Sequence, residues 1–552
     1  MAWSTAVFLY AAAMVRRRPN PGTQPLGSRS LKQAGLGLRS WGKRHFPKWL
    51  TPTFVFWTAV GFALLVFVVT AFWPHAAVGV GPLGVMWLGC LLWGAVAGGL
   101  ILWSVCWGKP VFFILVIAAV CLALIPVGTN HRIRTVQPPD PGWEIQSVAS
   151  RYEAWSKRPY QNPEDANAPV ILVAAEGGGI YAAYHTAVVM AYLQDQWPGF
   201  SEHVFAASGV SGGSVGLTVF QTLLHQRHTG QGAPALNQTW WEESVKATVK
   251  DDWLSPLLAA GLGRDLLPWP WCSALDRARA LEDAIGRSWN RAAVDDPLLN
   301  RGVFDRGFTT LDPRGWPGEP RAPHLFLNTT DVASGRPCFL GPLRFSKPSP
   351  GRSNPNTIFH NLYDELGSRD LPVKTAAVLS ARFPIVTPAG EVDFGDAVPL
   401  YRQLVDGGYF ENSGCATLEQ VYAELRASTD APRIVVIRIA AKSDRGLPGR
   451  QSNTLAPLSA LLNTRGSHGE EAAERFRQTV QAKKAVRDNG EVKDINDDWI
   501  DLELDLSPDQ GRDIPLGWLL SQGSREQIVD QVKAQLTAQK IKEIKEIKSG
   551  AP

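Results

Sequence analysis

The chain has 552 residues, of which 45% are hydrophobic and 19% are charged, with a formal net charge of +4. This length has room for two or more folded units, and the globular composition argues against a largely disordered chain. The small net charge hides an asymmetry, because residues 15–50 carry nine basic side chains and no acidic one. The segment abuts apolar chain and lacks a nucleic-acid-binding motif. We therefore expect it to lie at anionic lipid head groups, with no nucleic-acid partner.

An apolar region follows, in which residues 53–128 hold a single full charge, Lys109. Three spans are predicted in it: 53–73, 83–107 and 111–128. The first would rise roughly 31 Å as a helix, the thickness of a hydrocarbon core. Trp49, Trp73 and Trp107 stand at span edges, where interfacial anchors are found. The alternative is a set of buried core helices in a soluble protein.

These spans predict an integral membrane protein, as in a bacterial inner membrane, with transmembrane helices within 51–130. The basic segment 1–50 would stay in the cytoplasm. With three spans, the large C-terminal part would lie on the extracytoplasmic side. Basic residues after the last span, such as Arg132 and Arg134, weigh against that orientation.

Beyond a polar linker at 131–167, strand-like and helix-like runs alternate. This alternation predicts an α/β fold with a mainly parallel central sheet. We expect a catalytic domain at 168–442 with a Trp- and Pro-rich helical insertion at about 230–320, followed by an extension at 443–552. The predicted strands are 170–175, 204–207, 325–327, 434–439 and 499–504; the predicted helices are 182–194, 215–226, 280–289, 418–427 and an amphipathic tail at 526–548.

Two glycine-rich turns follow the first two predicted strands, Glu176-Gly177-Gly178-Gly179-Ile180 and Gly209-Val210-Ser211-Gly212-Gly213. Small neighbours let a serine occupy a sharp strand-to-helix turn, and the next helix directs its N-terminal amides at the site. Ser211 is therefore the candidate nucleophile, and Ser214 its competitor in an overlapping G-x-S-x-G. The amides of Gly177, Gly178, Gly179 and Gly212 could bind an oxyanion.

A third motif, Asp406-Gly407-Gly408, follows the short apolar pair Leu404-Val405. A carboxylate at a strand end, with glycines that allow close backbone approach, suits a general base beside the serine. Alone, each turn could be structural, and the Gly loop could bind a phosphate. The single G-x-G-x-x-G, at 79–84, lies between predicted membrane spans and is discarded.

Together these motifs resemble the patatin-like phospholipase family, in a membrane-anchored bacterial-type form, and the related site of cytosolic phospholipase A2. The oxyanion loop, the nucleophile turn and Asp406-Gly407-Gly408 carry the resemblance, with two further similar stretches at 328–337 and 376–384. It implies a three-layer α/β fold and a Ser211–Asp406 dyad that hydrolyses phospholipid or other lipid esters through an acyl-enzyme. Tyr181 stands where the family has arginine, and Glu176 where it has aspartate.

Several alternatives remain open. An α/β-hydrolase-like esterase would use a triad of Ser211, Asp406 and His468, the order that such a triad needs. However, His468 stands in a polar run that is more typical of a loop or helix cap. His185, just after the Gly loop, is more typical of a helix face than of a base. A lipid transacylase would share the same site, and an inert membrane scaffold or lipid-binding protein would not need it. The chemistry needs no cofactor or metal, and the six cysteines have no disulfide or zinc spacing.

Overall fold

The computed structural model describes residues 52–108, 110–124, 131–161, 167–230, 238–266, 275–345, 359–383, 386–393, 401–428, 432–442, 456–482, 484–486, 492–506, 514 and 517–546. The predicted basic segment 1–50, the anchor Trp49 and the end of the third predicted span lie outside these residues.

Helices and strands alternate along most of the described chain. The helices are α1 Pro52–Phe72, α2 Pro82–Trp107, α3 Val111–Leu124, α4 Val148–Ser156, α5 Gly179–Gln196, α6 Phe200–His203, α7 Gly212–Thr229, α8 Trp240–Thr248, α9 Leu254–Leu262, α10 Arg277–Asp295, α11 Tyr363–Leu366, α12 Val373–Leu379, α13 Cys415–Ser428, α14 Ala456–Gln481, α15 Gln522–Gln535 and α16 Ala538–Lys545. The strands are β1 Gln146–Ser147, β2 Val170–Ala175, β3 Val204–Val210, β4 His324–Asp331, β5 Pro337–Leu340, β6 Leu343–Arg344, β7 His360–Asn361, β8 Gly390–Asp393, β9 Tyr401–Asp406, β10 Ile434–Ala441, β11 Lys484–Val486, β12 Val492–Asp494 and β13 Asp498–Leu504.

The chain divides into two compact units, Met1–Asn130 with Ser255–Asp276, and His131–Leu254 with Arg277–Pro552. The first unit holds the apolar helices α1 to α3. Of the residues described, one stretch is long and apolar enough to cross a membrane, Pro82–Ile101 of α2, and Val111–Leu122 of α3 is shorter. Within this unit, Trp93 Nε1 donates to the carbonyl of Leu262 at 2.7 Å. The three-span arrangement stays a prediction.

A nine-stranded sheet forms the centre of the second unit, in the order β13-β10-β2-β3-β4-β5-β7, with β9 on β4 and β8 on β9. The strands from β13 to β4 run parallel. Both β5 and β9 run antiparallel to β4. The prediction of a mainly parallel α/β sheet is confirmed.

Helices cover both faces of this sheet, and every residue of the central strand β2 is buried as a result. Leu172 and Ala174 pack in one cluster with Leu418 of α13 and Phe476 of α14. Side chains alternate along a strand, so Ile171 and Val173, which are equally buried, face the other side. There α5 contacts β10, and α7 contacts α5. Such two-sided burial is why β2 is a continuous apolar run rather than an alternating one.

Two predictions about elements near the C-terminus need correction. The tail is two helices rather than one, because Leu536 ends α15 and the Thr537 side chain accepts the amide of Lys540 to start α16. The polar run around His468, expected to be a loop or helix cap, lies inside α14.

Candidate active site

Ser211 alone forms the turn between β3 and α7. Its φ is 51° and its ψ is −122°. A Cβ makes positive φ costly, and Glu319 is the other non-glycine residue with positive φ in the part of the chain that the structure describes. Strain of this kind costs about 1–3 kcal/mol and tends to cluster at functional sites. Ser211 is 2% exposed and precedes the unpaired first amides of α7.

The N-termini of α5 and α7 meet beside this turn. A Cβ on Gly212 would clash with the carbonyl oxygen of Gly179, and one on Gly213 would clash with that of Ala175. These contacts explain why the turn needs small residues on the helix side of the serine. Both helices therefore present their N-terminal amides, and the positive ends of their dipoles, to the same region.

Sheet register brings Asp406 to Ser211. One edge of β4 pairs with β3 as far as Val210 opposite Asn328. The next residue of β4, Thr329, pairs with Asp406 of β9. Since β5 occupies the other edge of β4 over the same residues, β9 must take over the edge that β3 leaves. The end of β9 therefore lies where β3 ends and Ser211 begins.

Ser380 holds these two turns together. Its carbonyl accepts the amide of Ser211 at 3.2 Å and that of Gly407 at 3.3 Å. Its hydroxyl lies 2.7 Å from the hydroxyl of Ser214 and donates to the carbonyl of Asn328. Ser214, the competing nucleophile, is thus fully buried in a structural hydrogen-bond network.

The Asp406 side chain is fully buried, and its two oxygens differ in their partners. Oδ1 accepts the amide of Gly408 at 2.7 Å and Nη2 of Arg465 at 3.3 Å. Burial raises the pKa of Asp406, whereas Arg465, the Ser211 hydroxyl and the Gly408 amide lower it. Because the Ser211 hydroxyl lowers this pKa, it lies next to the Asp406 carboxyl group. Even so, Oδ2 of Asp406 has no partner with full hydrogen-bond geometry. Catalytic hydrogen bonds are often misaligned before substrate binds.

The three backbone amides of the glycine loop differ in whether they already donate a hydrogen bond within the protein. The amide of Gly177 donates to the carbonyl of Asn412 at 2.9 Å, so it does not face an oxyanion here. A Cβ on Gly177 would lie 3.0 Å from Cβ of Ser211, which puts the loop against that serine. Gly178 is the N-cap of α5 and Gly179 its first residue, and amides at these positions have no intrahelical acceptor. Of the four expected donors, Gly178, Gly179 and Gly212 remain.

The two positions that depart from the resembled motif both contact this loop. The Tyr181 ring lies over Gly178, since a Cβ there would clash with the phenol. Glu176 Oε1 accepts Nδ2 of Asn412 at 3.3 Å, and Oε2 lies 3.5 Å from Nη2 of Arg438. Burial raises the pKa of Glu176 to about 7 in spite of Arg438, although 20% of the side chain is exposed.

Neither candidate histidine has a hydrogen bond to Ser211 or Asp406 among the described residues. His468 lies on α14 with an exposed side chain, and Arg465 of the same helix is the residue that contacts Asp406. His185 is 3% exposed, and burial lowers its pKa to about 3.

Sequence reasoning missed Arg465 and Asn412. Neither stands in a recognised motif; Asn412 follows Asp406-Gly407-Gly408 by a few residues, and Arg465 lies in a polar run. Ser380 lies in the stretch 376–384 that contributed to the resemblance, but no role was assigned to it.

No family model matches this chain, and no curated protein matches it in sequence. Among solved structures, VipD from Legionella pneumophila matches with a TM-score of 0.26 and 11% identity, over 69% of this chain and 67% of VipD. Human GIVD cytosolic phospholipase A2 matches with a TM-score of 0.25 and 13% identity, over 52% of this chain and 45% of that one. The chain thus spans less than half of that phospholipase. These scores are too low to support a function, which has to come from the site itself.

Proposed function

We propose that this protein is a membrane-bound serine lipid acyl hydrolase, of the phospholipase A or lysophospholipase type, with a Ser211–Asp406 dyad. One observation carries the proposal: the same edge of β4 pairs first with β3 and then with β9. Asn328 is the last residue of β4 that pairs with β3, and the next residue, Thr329, pairs with Asp406 of β9. This pairing sets a buried carboxylate beside a serine whose backbone is held at a φ of 51°. An inert scaffold needs neither the strain nor the buried charge.

In the first half of the reaction, the Asp406 carboxylate accepts the Ser211 proton through Oδ2 while Oγ attacks the ester carbonyl carbon. The carbonyl oxygen gains negative charge, which the amides of Gly178, Gly179 and Gly212 stabilise. Gly177 contributes room next to Ser211 rather than a donor. The tetrahedral intermediate then collapses, the C–O bond to the alcohol breaks, and protonated Asp406 gives its proton to the departing oxygen.

In the second half, Asp406 takes a proton from water as the water oxygen attacks the acyl-Ser211 carbonyl. Collapse releases the fatty acid and returns the proton to Ser211 Oγ. A transacylase would differ only in the acceptor, an alcohol in place of water. The dyad is favoured over a triad because Arg465, not His468, contacts the carboxylate.

The lipid nature of the substrate is supported by the apolar N-terminal helices. Core helices of a soluble protein are mostly buried, whereas α2 and α3 expose large apolar side chains, among them Leu83, Trp87, Phe113 and Ile117. Exposed apolar surface of this extent marks a contact with a partner protein or a membrane, and we propose the membrane. We propose three spans at 53–73, 83–107 and 111–128, with 1–50 cytoplasmic and the catalytic domain, 168–442 with its extension 443–552, outside the cytoplasm.

Hydrolysis of lipid esters by the purified full chain tests this function. Ser211→Ala and Asp406→Asn should abolish release of fatty acid, whereas Ser214→Ala and His468→Ala should keep most of it. Loss of activity in a folded His468→Ala protein would favour the triad instead. Acyl transfer to an added alcohol in preference to water would identify a transacylase, and an inactive wild type would reject the proposal.

Orientation is a separate test. Protease added to cells with a permeabilised outer membrane should cleave the catalytic domain, and protease added to inverted vesicles should leave it intact. Protection in the permeabilised cells would place the domain in the cytoplasm.

A further inference from the structure

The proposed dyad leaves one charged group beside it without a role, the guanidinium of Arg465. We propose that Arg465 is a positioning residue, which anchors one oxygen of Asp406 so that the other is free to take the Ser211 proton. This inference rests on the proposed function, since it concerns how the same base is held.

Arg465 reaches the site from α14 and is bound there on several sides. Its Nη2 lies 3.3 Å from Oδ1 of Asp406 and 3.0 Å from Oδ1 of Asn412, and its Nε donates to the carbonyl of Gly408 at 2.8 Å. The guanidinium carbon also lies 4.9 Å from the centre of the Phe383 ring. The side chain is only 13% exposed. A planar fork that meets three acceptors and an aromatic face is a fixed arrangement, not a surface contact.

The two oxygens of Asp406 have different roles: Oδ1 is bound by neighbouring groups, and Oδ2 is left open. Oδ1 accepts from both Arg465 and the amide of Gly408, whereas Oδ2 has no partner with hydrogen-bond geometry. A carboxylate held through one oxygen cannot turn freely about its Cβ–Cγ bond. Oδ2 is therefore held in one place as the oxygen left open for the Ser211 proton, and the proton transfer would need no reorientation of the base.

The second glycine after Asp406 makes this approach possible. A Cβ on Gly408 would clash with Nη2 of Arg465 and would lie 2.6 Å from Nε. Any larger residue would push the guanidinium away from the carboxylate. The Asp-Gly-Gly sequence thus serves two close contacts, Gly407 against the carbonyl of Asn328 and Gly408 against Arg465.

Arg465 also supports the glycine loop through Asn412. The Oδ1 of Asn412 accepts from Arg465, its Nδ2 donates to the carbonyl of Gly177 at 3.1 Å, and its own carbonyl accepts the amide of Gly177. One guanidinium therefore joins the base to the loop that faces the oxyanion. A displacement of about 1 Å at a reacting group can reduce the rate by roughly 100-fold, so this link bears on turnover.

The charge of Arg465 acts in the same direction as its geometry. A buried carboxylate favours its protonated form, which cannot act as a base, and Arg465 is the largest influence that opposes burial at Asp406. The other titratable groups around it are Tyr409 of the turn after β9, Tyr181 of α5 and Glu176, which reaches the cluster through Asn412. None of these is a cation, so Arg465 is the one among them whose positive charge lowers the pKa of Asp406.

The test compares Arg465→Gln and Arg465→Lys with Arg475→Gln in the purified full chain, with a short-chain nitrophenyl ester as substrate. Arg475 is the matched control, because it lies on the same helix and pairs with Glu419 with 56% of its side chain exposed. We expect Arg465→Gln to lower kcat about 10- to 100-fold with little change in KM. The acid limb of its pH profile should move to higher pH. Lysine should restore part of the rate, and Arg475→Gln should behave as wild type.

Two results would overturn the inference while the proposed function stands. One is a folded Arg465→Gln protein with the wild-type rate and pH profile, measured beside an inactive Ser211→Ala. The other is a rate that falls only with the fraction of folded protein, determined by near-UV circular dichroism, while the acid limb stays in place. If Ser211→Ala keeps wild-type activity, the proposed function fails and this inference fails with it.

Discussion

At the residue scale, the site depends on two side chains that are far apart in the chain and adjacent in space. Ser211 directly follows the end of β3, Asp406 ends β9, and both strands pair with the same edge of β4. Ser380 then fixes their backbones with one carbonyl. The proposed chemistry therefore depends on the register of the sheet, and a slip of one residue would separate the two side chains.

The pH profile of the wild type should reflect the buried carboxylate. Because burial raises the pKa of Asp406, the base should be protonated, and hydrolysis lost, at a higher pH than for a free aspartate near 3.9. Asp406→Asn should lower kcat at least about 100-fold at every pH. An acid limb at the pKa of free aspartate, measured as kcat/KM from pH 3 to 9, would contradict this.

Glu176 should make stability depend on pH in a defined direction. Its pKa is 4.5 ordinarily and about 7 in the folded chain, so the folded state binds the proton more tightly than the unfolded state. Folding is favoured most below about 4.5, and that contribution is lost as pH rises through 7. Wild type should therefore lose stability relative to Glu176→Gln between pH 5 and 8. Denaturant melts at both pH values check this, and a constant difference would refute it.

A residue's role could be predicted where it depends on its neighbours in the sequence, and not where it depends on distant parts of the chain. Ser211 and Asp406 stand in local motifs with glycines that their turns require, and the sequence indicates both. The occupied amide of Gly177 and the approach of Arg465 depend on Asn412 and α14, which come from other parts of the chain. No local pattern predicts such long-range contacts.

At the element scale, apolar runs predicted the buried strands well. The predicted strand at 170–175 has the bounds of β2, and the predicted strands at 434–439 and 499–504 lie inside β10 and β13. Short strands at the sheet edge, such as β7 and β8, were not predicted, because a few residues carry no detectable period. The helix α14 was missed because Gly466, His468 and Gly469 resemble a loop when its tertiary contacts are not known.

Two glycines of α14 should respond oppositely to alanine. A Cβ on Gly466 meets nothing within 4 Å, whereas one on Gly469 would lie 3.0 Å from the backbone nitrogen of Asn412. Gly466→Ala should stabilise the chain by about 0.5–1 kcal/mol, because alanine favours the helix. Gly469→Ala should lower Tm and also activity, since Asn412 contacts the glycine loop. Equal Tm changes in thermal melts of the two variants would show that the packing of α14 is misassigned.

At the scale of the whole molecule, the proposal joins a lipid site to an apolar anchor in one chain. The sequence also predicted the fold around the site and the anchor, and the described residues support these two predictions unequally. The parallel sheet is confirmed, whereas one helix among the described residues meets the length and composition needed to cross a bilayer. The difference has a physical reason. The strands of a sheet bond to one another within the protein, whereas an apolar helix meets its partner, the lipid, only in a membrane.

Extraction from membranes tests the anchor. With three spans, the full chain should stay in the membrane pellet in alkaline carbonate and be released by detergent, since each span buries about 20 apolar residues in hydrocarbon. Carbonate removes proteins held by charge alone, so a peripheral protein from the same membranes serves as the control. Release of the full chain by carbonate would refute the three spans.

The most direct test of the central claim is the site of covalent modification by a fluorophosphonate with a lipid-like chain. Such a reagent captures a serine only where a base and an oxyanion site activate it. Tandem mass spectrometry of the labelled full chain should place the phosphonyl group on Ser211, and Asp406→Asn should prevent labelling. Modification of Ser214, or hydrolysis of lipid esters by a chain that the reagent leaves unlabelled at Ser211, would contradict the account.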